Sequence, residues 1–366
     1  MIYHTRQILA TGGSAPEYCS SVISQRKLAW FGLLLVVLAG SGCSRRAAKP
    51  EPSQPGELET LELRYQGNNG TVTPAELAEA LGYLTPLRLN FVGSTISGPA
   101  SIQAVVTGDT DFGGAFNGAI IKLLAAQTPI VAVVGYYGID DQRLSGFYVL
   151  EDSPIKTAQD VLGKKVSMNT LGAHSEFMLK EFLFRNHFSA KDAQQVTLLA
   201  IPPVNGEQVL RQGQVDIAVL GDIYRDRALE RGGVRSLFSD YEMFGRFTAG
   251  CYVMKTDFIR QHPRAARKFV EGVARALEWA RQTPREQVIA RFLEIIQQRG
   301  RNEDAAAVGF WRSYGVHGKG GTISDREFQT WIDWMIQDGE LQADQLSASS
   351  LYTNELNPYA AEVPAR

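Results

Sequence analysis

The chain has 366 residues, 44% hydrophobic and 21% charged, enough to bury one large core or two modest ones. Its 37 Lys and Arg nearly balance 39 Asp and Glu, giving a formal charge of −2, and with no basic run this argues against a nucleic-acid surface. Three scattered cysteines, Cys19, Cys43 and Cys251, form neither a disulfide framework nor a metal site of recognisable spacing.

Arg26-Lys27 precedes an apolar run at 28–39, followed by Gly40-Ser41-Gly42-Cys43. A positive flank, a short apolar core and small residues describe a secretory signal over 1–43, too short for a comfortable membrane span. A cysteine directly after the small residues resembles a lipobox, so lipidation of Cys43 is expected, although Gly40 stands where Leu is usual. Residues 44–59 are rich in Pro, Ala and charge and read as a flexible tether.

Alternation at 60–65 predicts a strand that stops at Gln66-Gly67-Asn68-Asn69-Gly70. Thr73-Pro74-Ala75-Glu76 opens a helix with a cap, a proline at the first position and an early carboxylate. Strands follow at 87–92, 111–113, 130–136, 146–150, 164–168, 196–200, 217–221 and 251–254, separated by helical stretches. Alternation of this kind implies an α/β fold with mostly parallel sheets. Long amphipathic helices close the chain at 263–281, 284–298 and 325–338, and the tail at 346–366 is expected to be loosely ordered.

One pattern is written twice. Gly108-Asp109-Thr110-Asp111 ends a helix and opens a strand, and Gly213-Gln214-Val215-Asp216 does the same about a hundred residues on. Matching neighbours on each side suggest two lobes built alike: 60–150 with 248–345, and 151–247. Their strand-end loops would face a shared cleft.

Those loops carry the candidate chemistry. Gln66 and Asn68 follow the first strand; Ser94, Thr95, Ser97 and Gly98 follow the second; Phe116 and Asn117 follow the third. The loop 169–175, with Asn169, Thr170, His174 and Ser175, directly precedes a helix and is the best anion-site candidate. Asn205 and Asp222 complete the set, and Tyr136 and Tyr137 sit at another strand end. Each Ser, Thr or Asn alone is more often a helix cap; the set around one cleft favours binding. Asp222 would disfavour a bare anion unless paired with Arg225 or Arg246, and would suit an amine or hydroxyl. The five histidines lack ligand spacing, so neither metal nor cofactor is expected, and no nucleophile elbow appears. Gly318-Lys319-Gly320-Gly321-Thr322 lacks the spacing of a phosphate loop and reads as a surface loop.

From Leu61 to Thr283 the chain resembles the solute-binding proteins of ABC importers in the nitrate/taurine/aliphatic-sulfonate group. The marks are Leu63-Arg64-Tyr65-Gln66, Ser97-Gly98-Pro99, Gly108-Asp109-Thr110-Asp111-Phe112-Gly113, Asp152-Ser153-Pro154-Ile155-Lys156, Leu162-Gly163-Lys164-Lys165-Val166 and Gly213-Gln214-Val215-Asp216. The resemblance implies a two-lobed type II periplasmic-binding fold, like that of binders of thiamine-pyrimidine precursors, with two hinge crossovers near 147–152 and 247–254. It also implies that Ser97, Gly98, residues 114–117 and 169–175, Asn205 and Asp222 line the cleft. Where relatives often carry Trp-Asp-Pro-Tyr, this chain has Gly221-Asp222-Ile223-Tyr224, which opens the pocket. The function implied is a non-enzymatic, monomeric receptor in the periplasm or at the cell surface. It would be anchored through Cys43 and deliver a small polar solute to an inner-membrane permease with its ATPase. Pyrimidine synthases share the fold, and a ligand sensor for a signalling partner is a further alternative.

Overall fold

The computed structural model describes residues 57–362, so the signal segment, Cys43 and nearly all of the tether lie outside the described residues. In the first half the elements are β1 (Glu62–Gly67), α1 (Pro74–Ala80), β2 (Arg88–Ser94), α2 (Gly98–Thr107), β3 (Phe112–Phe116), α3 (Asn117–Ala125) and β4 (Ile130–Ile139). The chain then runs through β5 (Ser145–Leu150), α4 (Ala158–Val161), β6 (Lys165–Met168), α5 (His174–Arg185), α6 (Ala190–Ala193), β7 (Thr197–Ala200) and α7 (Pro203–Arg211). Next come β8 (Ile217–Gly221), α8 (Asp222–Arg231), β9 (Val234–Ser239), α9 (Asp240–Phe244) and β10 (Phe247–Lys255). Helices α10 (Thr256–Gln261), α11 (Pro263–Gln282), α12 (Arg285–Arg299) and α13 (Arg326–Gln337) finish the fold.

Two lobes result, and their sheets are mixed rather than mostly parallel. The first lobe pairs β1 with β2 in parallel and sets β10 antiparallel between β3 and β4; the second has the order β7-β6-β8-β5-β9. Strands β7, β6 and β8 run parallel, but β5 is antiparallel to both neighbours. The exceptions share a cause. Strands β5 and β10 arrive from the opposite lobe, not over a helix on their own sheet, so the right-handed crossover that imposes parallel pairing does not apply. The chain passes from one set of sheets to the other at 140–144 and back at 245–246, and Phe247 lies opposite Ile139, so these crossings run side by side.

The repeated sequence pattern has one structural meaning. Gly108 closes α2 in a left-handed conformation, φ 86°, and Gly213 follows α7 at φ 67°. Asp111 Oδ2 then accepts from Arg64 N at 2.7 Å, and Asp216 Oδ2 from Lys165 N at 2.8 Å. Each aspartate therefore ties the start of its own strand to a second strand of the same lobe.

In the first lobe, α11 buries Ala266, Phe269, Val270, Val273, Leu277 and Ala280, the face anticipated from the periodicity. Helix α1 is fixed by a capping box between Thr73 and Glu76. Helix α13 joins the lobes at the back: Trp331 meets Phe116, Phe177 and Phe247 at 4.8, 6.2 and 5.8 Å between ring centres. Two expectations are corrected. The tail is docked, not loose: Ala132 N donates to Leu351 O at 3.1 Å, Leu356 is buried, and Asn357 Nδ2 donates to Gly320 O at 2.8 Å. The glycine-rich 318–322 is no surface loop either, since Gly320, Gly321 and Thr322 are buried and Gly320 N donates to Glu278 Oε1 at 2.7 Å.

Candidate functional site

A cavity of about 340 Å³ lies between the lobes, walled by strand ends and by the starts of α2, α5, α7 and α8. From the first lobe it is lined by Gln66, Asn68, Thr95, Ser97, Gly98 and Phe116; from the second by Asn169, Thr170, His174, Ser175 and Asp222. Ser97 Oγ and Thr170 Oγ1 lie 3.2 Å apart, and Asn169 Nδ2 donates to Ile96 O at 3.1 Å. Ser97 also caps α2, accepting from Ala100 N at 3.3 Å, so the capping and cleft readings of this residue both hold.

Three expected residues are not brought to the cavity. Asn117 is fully buried beneath it, its Nδ2 donating to Thr248 O at 2.9 Å and Glu327 O at 3.1 Å. Its place at the start of α3 turns it into the core, where it ties that helix to β10 and α13. Ser94 is exposed and donates to Asn69 Oδ1 at 2.8 Å, because alternation along β2 points it away from the cleft. Asn205, one turn into α7, is exposed beside a second, more open depression with Arg211, Arg227 and Arg231.

Asp222 is in the wall, but neither expected arginine is its partner. Arg225 pairs with Asp226 and Arg246 with Asp141. The partner is Arg143, from the first crossing, whose Nε donates to Asp222 Oδ2 at 3.1 Å with Nη2 in ion-pair contact with the same oxygen at 3.0 Å, while Nη1 donates to Gly138 O at 2.8 Å. Burial works against the Arg143 charge, yet Asp222 and the surrounding phenols overcome it and raise its pKa above the usual arginine value. Asp222 sits at φ 54°, in the left-handed region that Asp tolerates better than most residues, at the turn from β8 into α8.

His174 Nε2 lies 2.9 Å from Asp240 Oδ2, and Asp240 Oδ1 accepts from Ser145 N at 3.0 Å. The imidazole packs on Phe116 at 5.0 Å and on Phe247 at 6.1 Å. His174 is thus held between the end of β3, the start of β10 and α9.

Only part of the aromatic wall is legible in the sequence. Tyr65, Tyr252, Trp311 and Tyr314 line the cavity with the anticipated Tyr136 and Tyr137. Tyr136 stacks on Tyr252 at 4.3 Å and 18°. Burial lifts the pKa of Tyr136, Tyr137, Tyr252 and Tyr314 above the phenolic value of 10.0, which keeps them neutral. Gly114 makes this packing possible, because a Cβ there would stand 2.7 Å from two Tyr136 ring carbons. No sequence signal marked Arg143, which sits in an ordinary polar turn, or Trp311 and Tyr314, which reach the cleft from beyond α12. Among the described residues no group of three metal-ligating side chains forms, and no helix is long and apolar enough to cross a membrane.

Comparison with known proteins places this architecture. Residues 72–287 match the model of the family described as NMT1/THI5 like. A protein of Escherichia coli (strain K12) named as an aliphatic sulfonates-binding protein is 31% identical over 143 residues, 38% of this chain. The matched stretch spans 42% of that protein. Among solved structures, the alkanesulfonate-binding protein SsuA of Xanthomonas axonopodis pv. citri bound to MOPS shares 18% identity at a TM-score of 0.63, covering 81% of this chain and all of that one. The periplasmic nitrate-binding protein NrtA of Synechocystis PCC 6803 shares 13% at 0.62, covering 84% and 92%. These named relatives are binding proteins, and the solved structures share the two-lobed fold. The family model covers more than half of the sequence, and the chain belongs to the NMT1/THI5-like family.

Proposed function

We propose that this chain is the solute-binding component of an ABC importer, a receptor that closes two lobes around a small polar solute of the sulfonate, taurine or nitrate kind. The observation that carries the reading is the pair of hydrogen bonds across the cavity mouth, Ser97 with Thr170 and Asn169 with Ile96. Contacts of that kind exist only when the lobes are together, so a ligand touching both lobes shifts the balance toward closure. The helix starts facing the cavity suit an anionic group. Lipid attachment at Cys43 and hand-over to a permease belong to the same proposal and rest on the sequence pattern at 26–43 and on the family.

A thermal-shift screen of the full chain against taurine, alkyl and aryl sulfonates and nitrate tests it. A ligand that binds only the folded state adds about 2.7 kcal/mol at a hundred times its dissociation constant. The expected result is a shift with one class, weakened in Ser97→Ala. No shift with any class overturns the solute assignment. For the anchor, Cys43→Ser should release the protein from membranes into the soluble fraction.

A further inference from the structure

The cavity wall combines an ion pair of zero net charge with an aromatic lining, and together these narrow the ligand. Apart from His174, which is engaged by Asp240, the charged side chains in the wall are Arg143 and Asp222. A guanidinium carries five N–H donors. Nε bonds Asp222 Oδ2, one N–H of Nη1 bonds Gly138 O, and Nη2 makes only an ion-pair contact with Oδ2, so each Nη keeps at least one N–H without a hydrogen-bond partner among the described residues. Asp222 takes both contacts on Oδ2, which leaves Oδ1 as an acceptor. A bare anion at Arg143 would therefore meet an uncompensated carboxylate oxygen beside it. A ligand that also presents a donor would satisfy both. The same cavity is lined by Tyr136 stacked on Tyr252, an arrangement that the missing Cβ of Gly114 permits. Trp311, over nine-tenths buried in the same wall, has an indole N–H without a partner among the described residues.

Resting on the solute-receptor reading above, we infer that the site takes an amino-substituted aromatic acid. Its ring lies against the tyrosine wall, its anionic group takes the outer N–H groups of Arg143, and its amino group donates to Asp222 Oδ1. The volume of about 340 Å³ suits a single substituted ring.

Calorimetric titration of the full chain with 4-aminobenzenesulfonate, benzenesulfonate, taurine and nitrate decides the matter. The aminated ring should bind about tenfold more tightly than benzenesulfonate, which lacks the donor, and than taurine, which lacks the ring. Asp222→Asn should shrink the preference over benzenesulfonate to about twofold, and Tyr136→Leu the preference over taurine. The ligand series on the unaltered chain suffices even if a variant folds poorly. Taurine or nitrate binding as tightly as the aminated ring overturns the inference and leaves the receptor reading standing. Benzenesulfonate binding as tightly removes the role given to Asp222 and overturns it too. No heat with any of the four brings down both.

Discussion

Ser97 Oγ on the first lobe and Thr170 Oγ1 on the second stand 3.2 Å apart, although 73 residues separate them in sequence. Both hydroxyls sit where a strand gives way to a helix, so two like-built lobes present like ends to one another. A neutral hydrogen bond of this kind is worth about 0.5–1.5 kcal/mol net. If it forms only on closure, Thr170→Ala should weaken solute affinity by about two- to tenfold and scarcely move the melting temperature. Calorimetry beside thermal denaturation separates the effects; equal loss in both would assign the pair to general stability.

Arg143 and Asp222 answer to a different balance. Their side chains are 18% and 27% exposed, so removing one partner leaves a charge largely out of water. Arg143→Gln should destabilise the fold by about 2–4 kcal/mol, and adding Asp222→Asn should recover part of that loss. Urea denaturation of the two single variants and the double variant measures the coupling.

Gly114 marks the closest packing in the aromatic wall. With Tyr136 ring carbons 2.7 Å from a Cβ, Gly114→Ala must displace the ring from its place in the wall. The expected cost is about 1–3 kcal/mol of stability together with weaker ligand binding. A smaller cost with full binding would mean that the ring moves freely.

Asn117 serves the core. Asn117→Ala removes two donors from buried carbonyls of Thr248 and Glu327 and should cost about 2–4 kcal/mol. Since its side chain does not reach the cavity, the dissociation constant for solute should stay within about twofold in the folded variant. A larger change would return it to the binding site.

The buried phenols give an alkaline limit. Tyr137, Tyr252 and Tyr314 are held above 10.0 by burial, whereas in the unfolded chain they ionise near that value. Above about pH 10 the unfolded state has therefore lost protons that the native state keeps. The stability these groups contribute is complete below pH 10 and falls as the pH rises. Phenolate absorbance should accordingly rise together with loss of ellipticity, and Tyr252→Phe should lessen the slope of stability against pH.

Much of the architecture was written locally. The paired Gly-x-x-Asp turns revealed two like lobes because a left-handed glycine and a strand-tying aspartate are short-range requirements, met again at Asp111 and Asp216. The apolar faces of α11 and α13 and the cap at Thr73 follow from periodicity and hydrogen-bonding needs within a few residues. Strand-end loops placed Ser97, Thr170, His174 and Asp222 at the cleft for the same reason. What the sequence left open was decided by contacts between distant segments. Arg143, not Arg225 or Arg246, became the partner of Asp222 because the crossing at 140–144 passes the start of α8. Asn117 and Ser94 turned away from the cleft, and Trp311 and Tyr314 turned toward it, through the packing of whole elements. Burial, pairing and direction of a side chain depend on what lies across from it, and only the tertiary structure supplies the other side.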